Sequence, residues 1–219
     1  MQAGGLVEQA NALARVLGRQ FGYRGAGEDY DAEINANLVS VIERRRGLPV
    51  ALGILWLHAG RAAGAQAVGL DFPGRFLVAL RGEEGEQVVL DPFAGGVRHD
   101  GRALRAMLRQ VAGPDAELTP AMVRPMPDRA ILLRLLNNVR LRRARSGNLA
   151  GELEVLGDML LVAPRSPGLW EDSAQLHDAA GRLPAAVAAW ERALALTTDP
   201  ARAAAVYAAL ASLRARLGS

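Results

Sequence analysis

The stretch FPGRFLVALRGEEGEQVVLDPFAGG at 72–96 reads as a hairpin with Arg75 on one apolar strand and Asp91 closing the other. A cation beside a carboxylate can orient a proton carrier, bind an anion through the cation, or close an ion pair. Which of these holds depends on the nucleophiles and bases the chain can supply. It has no cysteine, and all 26 of its basic residues are arginine. That excludes thiolate nucleophiles, disulfides, thiolate metal sites, Schiff-base chemistry and a P-loop lysine. The three histidines, His58, His99 and His177, lack metal-ligand spacing, so neither a metal nor a cofactor is expected. His58 lies in the apolar run 49–63 and reads as a core or rim residue, and His177 takes a packing position. His99 follows the glycine-rich loop and could approach Asp91, but an exposed loop histidine is the simpler reading. Ser40 sits on a helical pattern of its own and is not assigned as a nucleophile.

The elements around these residues follow from periodicity and punctuation. Helix-like apolar spacing covers 6–21 and 34–46. PVALGILWLHAGRAAG starts with Pro49, tolerated at a first helical position, and stops at Gly64. Residues 66–71, 75–80 and 86–91 are short, rich in Val, Leu and Phe, and separated by Pro73-Gly74 and by GEEG, which predicts three antiparallel strands. A further helix is expected over 101–112. Helices, a meander and a helix describe an α+β domain over 1–124. The segment PMPD at 125–128 reads as a linker, and 128–219 as a wholly helical domain.

Within that second part, 146–164 can be laid over 180–198 at an offset of 34 residues, matching Gly147 to Gly181, Leu149 to Leu183 and Leu156 to Trp190. The period, with Trp170, Gly181, Ala186, Trp190 and Ala193 in place, resembles the tetratricopeptide repeat. Residues 201–217 would supply a final helix covering the exposed face.

Pairing Leu80 with Glu86 around the Gly82–Gly85 turn sets Arg75 directly opposite Asp91 and predicts an ion pair. Asp91 precedes a proline, which holds it extended at the strand end. The PFAGG loop after it brings backbone close to a pocket.

The order NLVSVIERRRGLPVALGILWLHAGRAAG, FPGRFLVAL, LDPFAGG and then repeat-like helices resembles the bacterial SirB1 family, which joins a transglutaminase-like domain to tetratricopeptide-like repeats. The resemblance covers roughly 30–215 and implies a papain-like core in which a helix-start cysteine meets a histidine and an aspartate on strands. Here the helix start reads Gly47-Leu48-Pro49-Val50-Ala51, without thiol or hydroxyl. The strand position that is histidine in many relatives is Arg75, and Asp91 alone remains. Arginine keeps its proton near neutral pH and cannot serve as general base. Pro49, Val50, Arg75 and Asp91 therefore read as degenerate triad positions, with Arg75 and Asp91 as a structural remnant. In the competing reading Arg75 binds a carboxylate or phosphate in the old cleft, with Asp91 and His99 beside it.

Arg140, Arg142, Arg143 and Arg145 have no acidic residue near them in sequence, so Arg140, Arg143 and Arg145 are partner-binding candidates; a solvated helix end is the alternative. Without interleaved aromatics or a recognised module, nucleic acid is not expected as a partner. No apolar run approaches 18 residues and the N-terminus lacks the build of a secretory signal, so a soluble cytoplasmic protein is expected. These readings converge on a non-catalytic adaptor or regulator that engages a protein or peptide through its repeats. The alternative is a hydrolase or transamidase of the same fold that uses Asp91 with His99 on an amide or peptide bond.

Overall fold

A computed structural model describes residues 5–27 and 29–217. Residues 1–4, where the N-terminal reading begins, lie outside the described residues. Two compact units divide between Ile131 and Leu132.

The first unit opens with α1 (Leu6–Leu13), which passes into a π-helical segment, Ala14–Gln20, where the spacing predicts uninterrupted α-helix. A short strand β1 (Arg24–Gly25) follows. The helix expected over 34–46 is split into a 3₁₀ turn, Glu33–Ala36, and α2 (Leu38–Arg44). Asn37 starts the second piece: its side chain accepts from the Ser40 amide at 3.1 Å, satisfying an otherwise orphaned helical donor. β2 (Arg46–Gly47) then pairs with β1 in parallel, and α3 (Pro49–Ala62) begins with its proline at the first turn.

The meander is β3 (Gln66–Phe72), β4 (Arg75–Arg81) and β5 (Gln87–Asp91), extended by β6 (Val97–His99). α4 (Gly101–Ala112) follows, its amino end capped by Asp100, which accepts from the Ala103 amide at 2.8 Å. That bond holds the Asp100 carboxyl below its ordinary range. Pro125 and Met126 are not a linker. They form β7, which pairs with β3 and completes an antiparallel sheet ordered β6-β5-β4-β3-β7. An edge strand tolerates proline because the missing donor faces away from the ladder.

Both faces of the sheet are covered, which explains why Phe76 to Leu80 are buried without alternation. Leu70, Phe72, Leu77, Ala79 and Val89 pack with Leu104 and Leu108 of α4. On the other face Phe76 fits against Gly53 of α3, where a Cβ would lie 2.1 Å from its ring. Arg61 near the end of α3 forks onto Asp128 with two bonds of 2.8 Å.

The second unit is helical. α5 (Asp128–Arg145), which carries the division between the units, is followed by α6 (Leu149–Val162), α7 (Pro167–Ala179), α8 (Leu183–Leu196) and α9 (Pro200–Leu217). α6 and α8 start 34 residues apart, and Gly147 and Gly181 before them share a φ of 70°. The same pair of capping bonds surrounds each glycine, to Ala144 and Arg143 in one case and to Asp178 and His177 in the other. Val155, Leu156 and Met159 of α6 form the core here with Leu133, Leu136, Leu169 and Leu176. No helix among the described residues is long and apolar enough to cross a membrane.

Candidate functional site

The hairpin predicted to join Arg75 and Asp91 does so, with a different register. Arg81 pairs with Gln87 and Val78 with Leu90, so the ladder is shifted by two residues from the Leu80–Glu86 pairing expected. Arg75, which pairs with Phe72 of β3 on its other side, therefore does not face Asp91 squarely and reaches it diagonally. A shift of two preserves the face of every side chain, and diagonal neighbours lie within reach of a long arginine. The difference arises in the turn. The Gly82 amide donates to the Glu86 carbonyl at 2.9 Å, leaving a three-residue tip closed by Gly85 at φ 89°.

The Asp91 carboxylate is 1% exposed and well supplied with donors. One oxygen accepts from the backbone amides of Phe93 (2.9 Å) and Ala94 (3.1 Å). The other accepts from Arg75 Nη1 at 2.6 Å. Arg75 itself remains 41% exposed along its side chain, so the guanidinium keeps access to solvent. The arrangement stores a buried charge and leaves other guanidinium donors able to meet an anion.

His99 is not the exposed loop residue expected. It sits on β6 opposite Val89, with its side chain 14% exposed and Nε2 3.8 Å from Asp91 Oδ2. That nitrogen is buried without a hydrogen-bond partner among the described residues. Strand alternation places Arg75, Asp91 and His99 on the sheet face that carries Phe72, Leu77 and Val89.

The loop after Asp91 is pinned on several sides. The Gly96 amide donates to the Asp91 carbonyl at 2.7 Å, and the Phe93 carbonyl accepts from Gly25 at 2.8 Å. Gly25 pairs in turn with Gly47, just before α3. Gly96 has φ 89°, and a Cβ there would lie 2.3 Å from the Trp56 ring, so only glycine fits.

At the start of α3, Leu48, Val50 and Ala51 are buried, and Pro49 supplies no donor. Sequence reasoning overlooked Asn35 beside this segment. Asn35 is fully buried; it accepts from Arg44 Nη1 at 2.9 Å, and its carbonyl accepts from the Leu48 amide at 2.8 Å. A lone asparagine between helical stretches gives no sequence signal of this role. Ser40 only donates its backbone amide to the capping Asn37 side chain, and His58 is exposed on α3.

The basic run on α5 is largely engaged within the second unit. Arg140 meets Asp172 at 3.0 Å and Glu152 at 3.8 Å. Arg143 bonds to Glu154 at 2.8 Å and to the Gly151 carbonyl at 2.9 Å. The acidic partners absent from local sequence come from α6 and α7, so these two residues brace helices and do not form an open patch. Arg145 is exposed in the last turn of α5. His177, half-buried on α7, has its imidazole held below the ordinary histidine range, first by burial and then by Arg182. Among the described residues no group of three or more His, Cys, Asp or Glu could hold a metal ion.

Residues 2–137 match the transglutaminase-like superfamily. The chain is similar to a UPF0162 protein of Xylella fastidiosa, 32% identical over 164 residues, and spans 74% of its own length and 58% of that relative. A UPF0162 protein of Pseudomonas aeruginosa is 31% identical over 200 residues, covering 89% of this chain and 73% of the relative. Mouse F-box only protein 21 is 29% identical over 93 residues, which are 39% of this chain and 15% of that protein. No solved structure matches. With the superfamily matching across most of the chain and an antiparallel sheet holding the Arg75–Asp91 pair, the chain belongs to the transglutaminase-like superfamily.

Proposed function

We propose that this chain is a non-catalytic transglutaminase-like protein, an adaptor or regulator that engages another protein or peptide through tetratricopeptide-like repeats. The observation that carries the reading is the occupancy of Asp91. Its carboxylate is taken up by an arginine, which cannot relay a proton, and by two backbone amides. The buried Leu48, Val50 and Ala51 at the start of α3 supply neither thiol nor hydroxyl, which supports the non-catalytic reading from the nucleophile side.

The repeat supports the binding side of the reading. Stacked helix pairs at a 34-residue period present an extended surface suited to a peptide or helix. Tyr207 on α9 is 62% exposed, and tyrosine is enriched among the residues that anchor interfaces; Leu161 on α6, 82% exposed, adds apolar surface.

The test is affinity capture from a native extract of the source organism with the full chain and with Leu161→Asp and Asp91→Asn variants. A stoichiometric protein retained by wild type and Asp91→Asn and lost by Leu161→Asp supports the adaptor role. Capture of no protein by the folded wild type contradicts it. One observation favours an enzymatic reading, namely the approach of His99 to Asp91. It requires amide or peptide turnover that disappears in both His99→Gln and Asp91→Asn.

A further inference from the structure

A second basic site lies on the first unit, apart from the Arg75–Asp91 pair. Along β6 the alternation sends His99 to the Asp91 face and Arg98, opposite Leu90, to the other. There Arg98 lines a cavity of 580 Å³ together with Arg15 and Arg19 from the π-helical segment, and with Glu8, Asn11 and Gly96. The two walls come from segments about 80 residues apart and are drawn close by glycine. A Cβ on Gly18 would lie 2.0 Å from the Gly95 carbonyl oxygen, and one on Gly96 would lie 2.8 Å from the Ala14 Cβ. The π-helical bonding, with the Phe21 amide donating to the Val16 carbonyl at 2.9 Å, widens the turn on which Arg15 and Arg19 stand four residues apart. π-helical turns of this kind recur at functional sites.

Among the described residues none of the three arginines makes an ion pair or a side-chain hydrogen bond, unlike Arg61, Arg75, Arg140 and Arg143. Glu8 brings one negative charge to the rim, leaving a formal surplus of two positive charges around the cavity. A single carboxylate would neutralise half of that surplus. A phosphate group carries between about −1.5 and −2 at neutral pH and offers oxygens to several guanidinium forks at once. The volume falls within the range of small-molecule sites, about 300–1,000 Å³.

We infer that this cavity binds a small phosphorylated molecule held by Arg15, Arg19 and Arg98. The inference does not rest on the adaptor reading and survives or fails separately from it. Isothermal titration of the full chain with pyrophosphate, at fixed ionic strength and with citrate in parallel, tests it. All three arginines are exposed, so replacing them leaves the core intact. Saturable one-to-one binding of pyrophosphate is expected, weakened about tenfold in Arg98→Gln and in Arg15→Gln. It should be unchanged in Arg165→Gln, which removes the same charge from the second unit. No saturable binding up to about 5 mM overturns the inference, since that is weaker than a specific site. Equal weakening in all three variants overturns the site, and citrate binding as tightly as pyrophosphate overturns the phosphate class.

Discussion

Replacing Arg75 with methionine should cost more stability than replacing Asp91 with asparagine, although the two side chains share one bond. In Arg75→Met the Asp91 carboxylate, 1% exposed in the native fold, loses its only cationic partner at hydrogen-bond distance among the described residues. Breaking a fully buried pair in this way costs about 3–5 kcal/mol. Two features reduce that figure: Arg75 is 41% exposed, so water screens the pair, and Asp91 keeps its bonds from Phe93 and Ala94. About 2 kcal/mol is expected, a shift of roughly 6–10 °C in the midpoint of a unit of this size. In Asp91→Asn the amide oxygen can still accept from both backbone amides, and Arg75 is left facing water, so about 1 kcal/mol is expected. The double variant should cost less than the sum by about 1 kcal/mol, because the stranded carboxylate is gone. Trp56 is buried in the first unit, so urea unfolding followed by its fluorescence, with Trp170 and Trp190 changed to phenylalanine, reads that unit alone. Equal costs for the single variants, or strict additivity, would refute the reasoning.

Three further outcomes follow from the geometry. Gly96→Ala should destabilise the first unit by about 3 kcal/mol in the same urea assay, since it adds backbone strain to a clash with Trp56; a loss under about 1 kcal/mol would contradict the close approach. His177 resists protonation in the folded state, while the unfolded chain takes up the proton near its ordinary pKa of about 6.5. Stability present above that pH is therefore lost as pH falls through 6.5 toward the lower folded value. In His177→Phe, the midpoint of the second unit should fall less between about pH 7.5 and 5.5 than in wild type. An unchanged pH dependence would contradict it. Arg140→Met leaves Asp172 and Glu152 without their shared cation and should lower the stability of the second unit by about 1 kcal/mol in circular dichroism melts; a neutral result would return Arg140 to the list of binding residues.

The sequence carried the Arg75–Asp91 pair because a charged pair in an apolar hairpin has few partners, and because strand period fixes the face even when register slips. It did not carry the register, which depends on where the Gly82–Glu86 tip closes. Pro125 concealed β7, since proline reads as a break and only tertiary context makes it an edge strand. The acidic partners of Arg140 and Arg143 were invisible for a related reason: they arrive from other helices. His99 was legible as a residue near Asp91 but not as a strand residue, because three residues of β6 are too few to show a period. The basic cavity left no motif at all, its arginines being scattered between positions 15 and 98.

The most direct test of the central claim is a turnover measurement on the purified full chain. The assay offers glutamine-containing and amide-blocked peptides with a labelled amine, and mass spectrometry reads both hydrolysis and amine incorporation. The account predicts no bond made or broken above the buffer control, and no difference between wild type and Asp91→Asn. Turnover by the wild type that is lost in Asp91→Asn and His99→Gln would contradict it and make the Asp91–His99 approach a working catalytic pair.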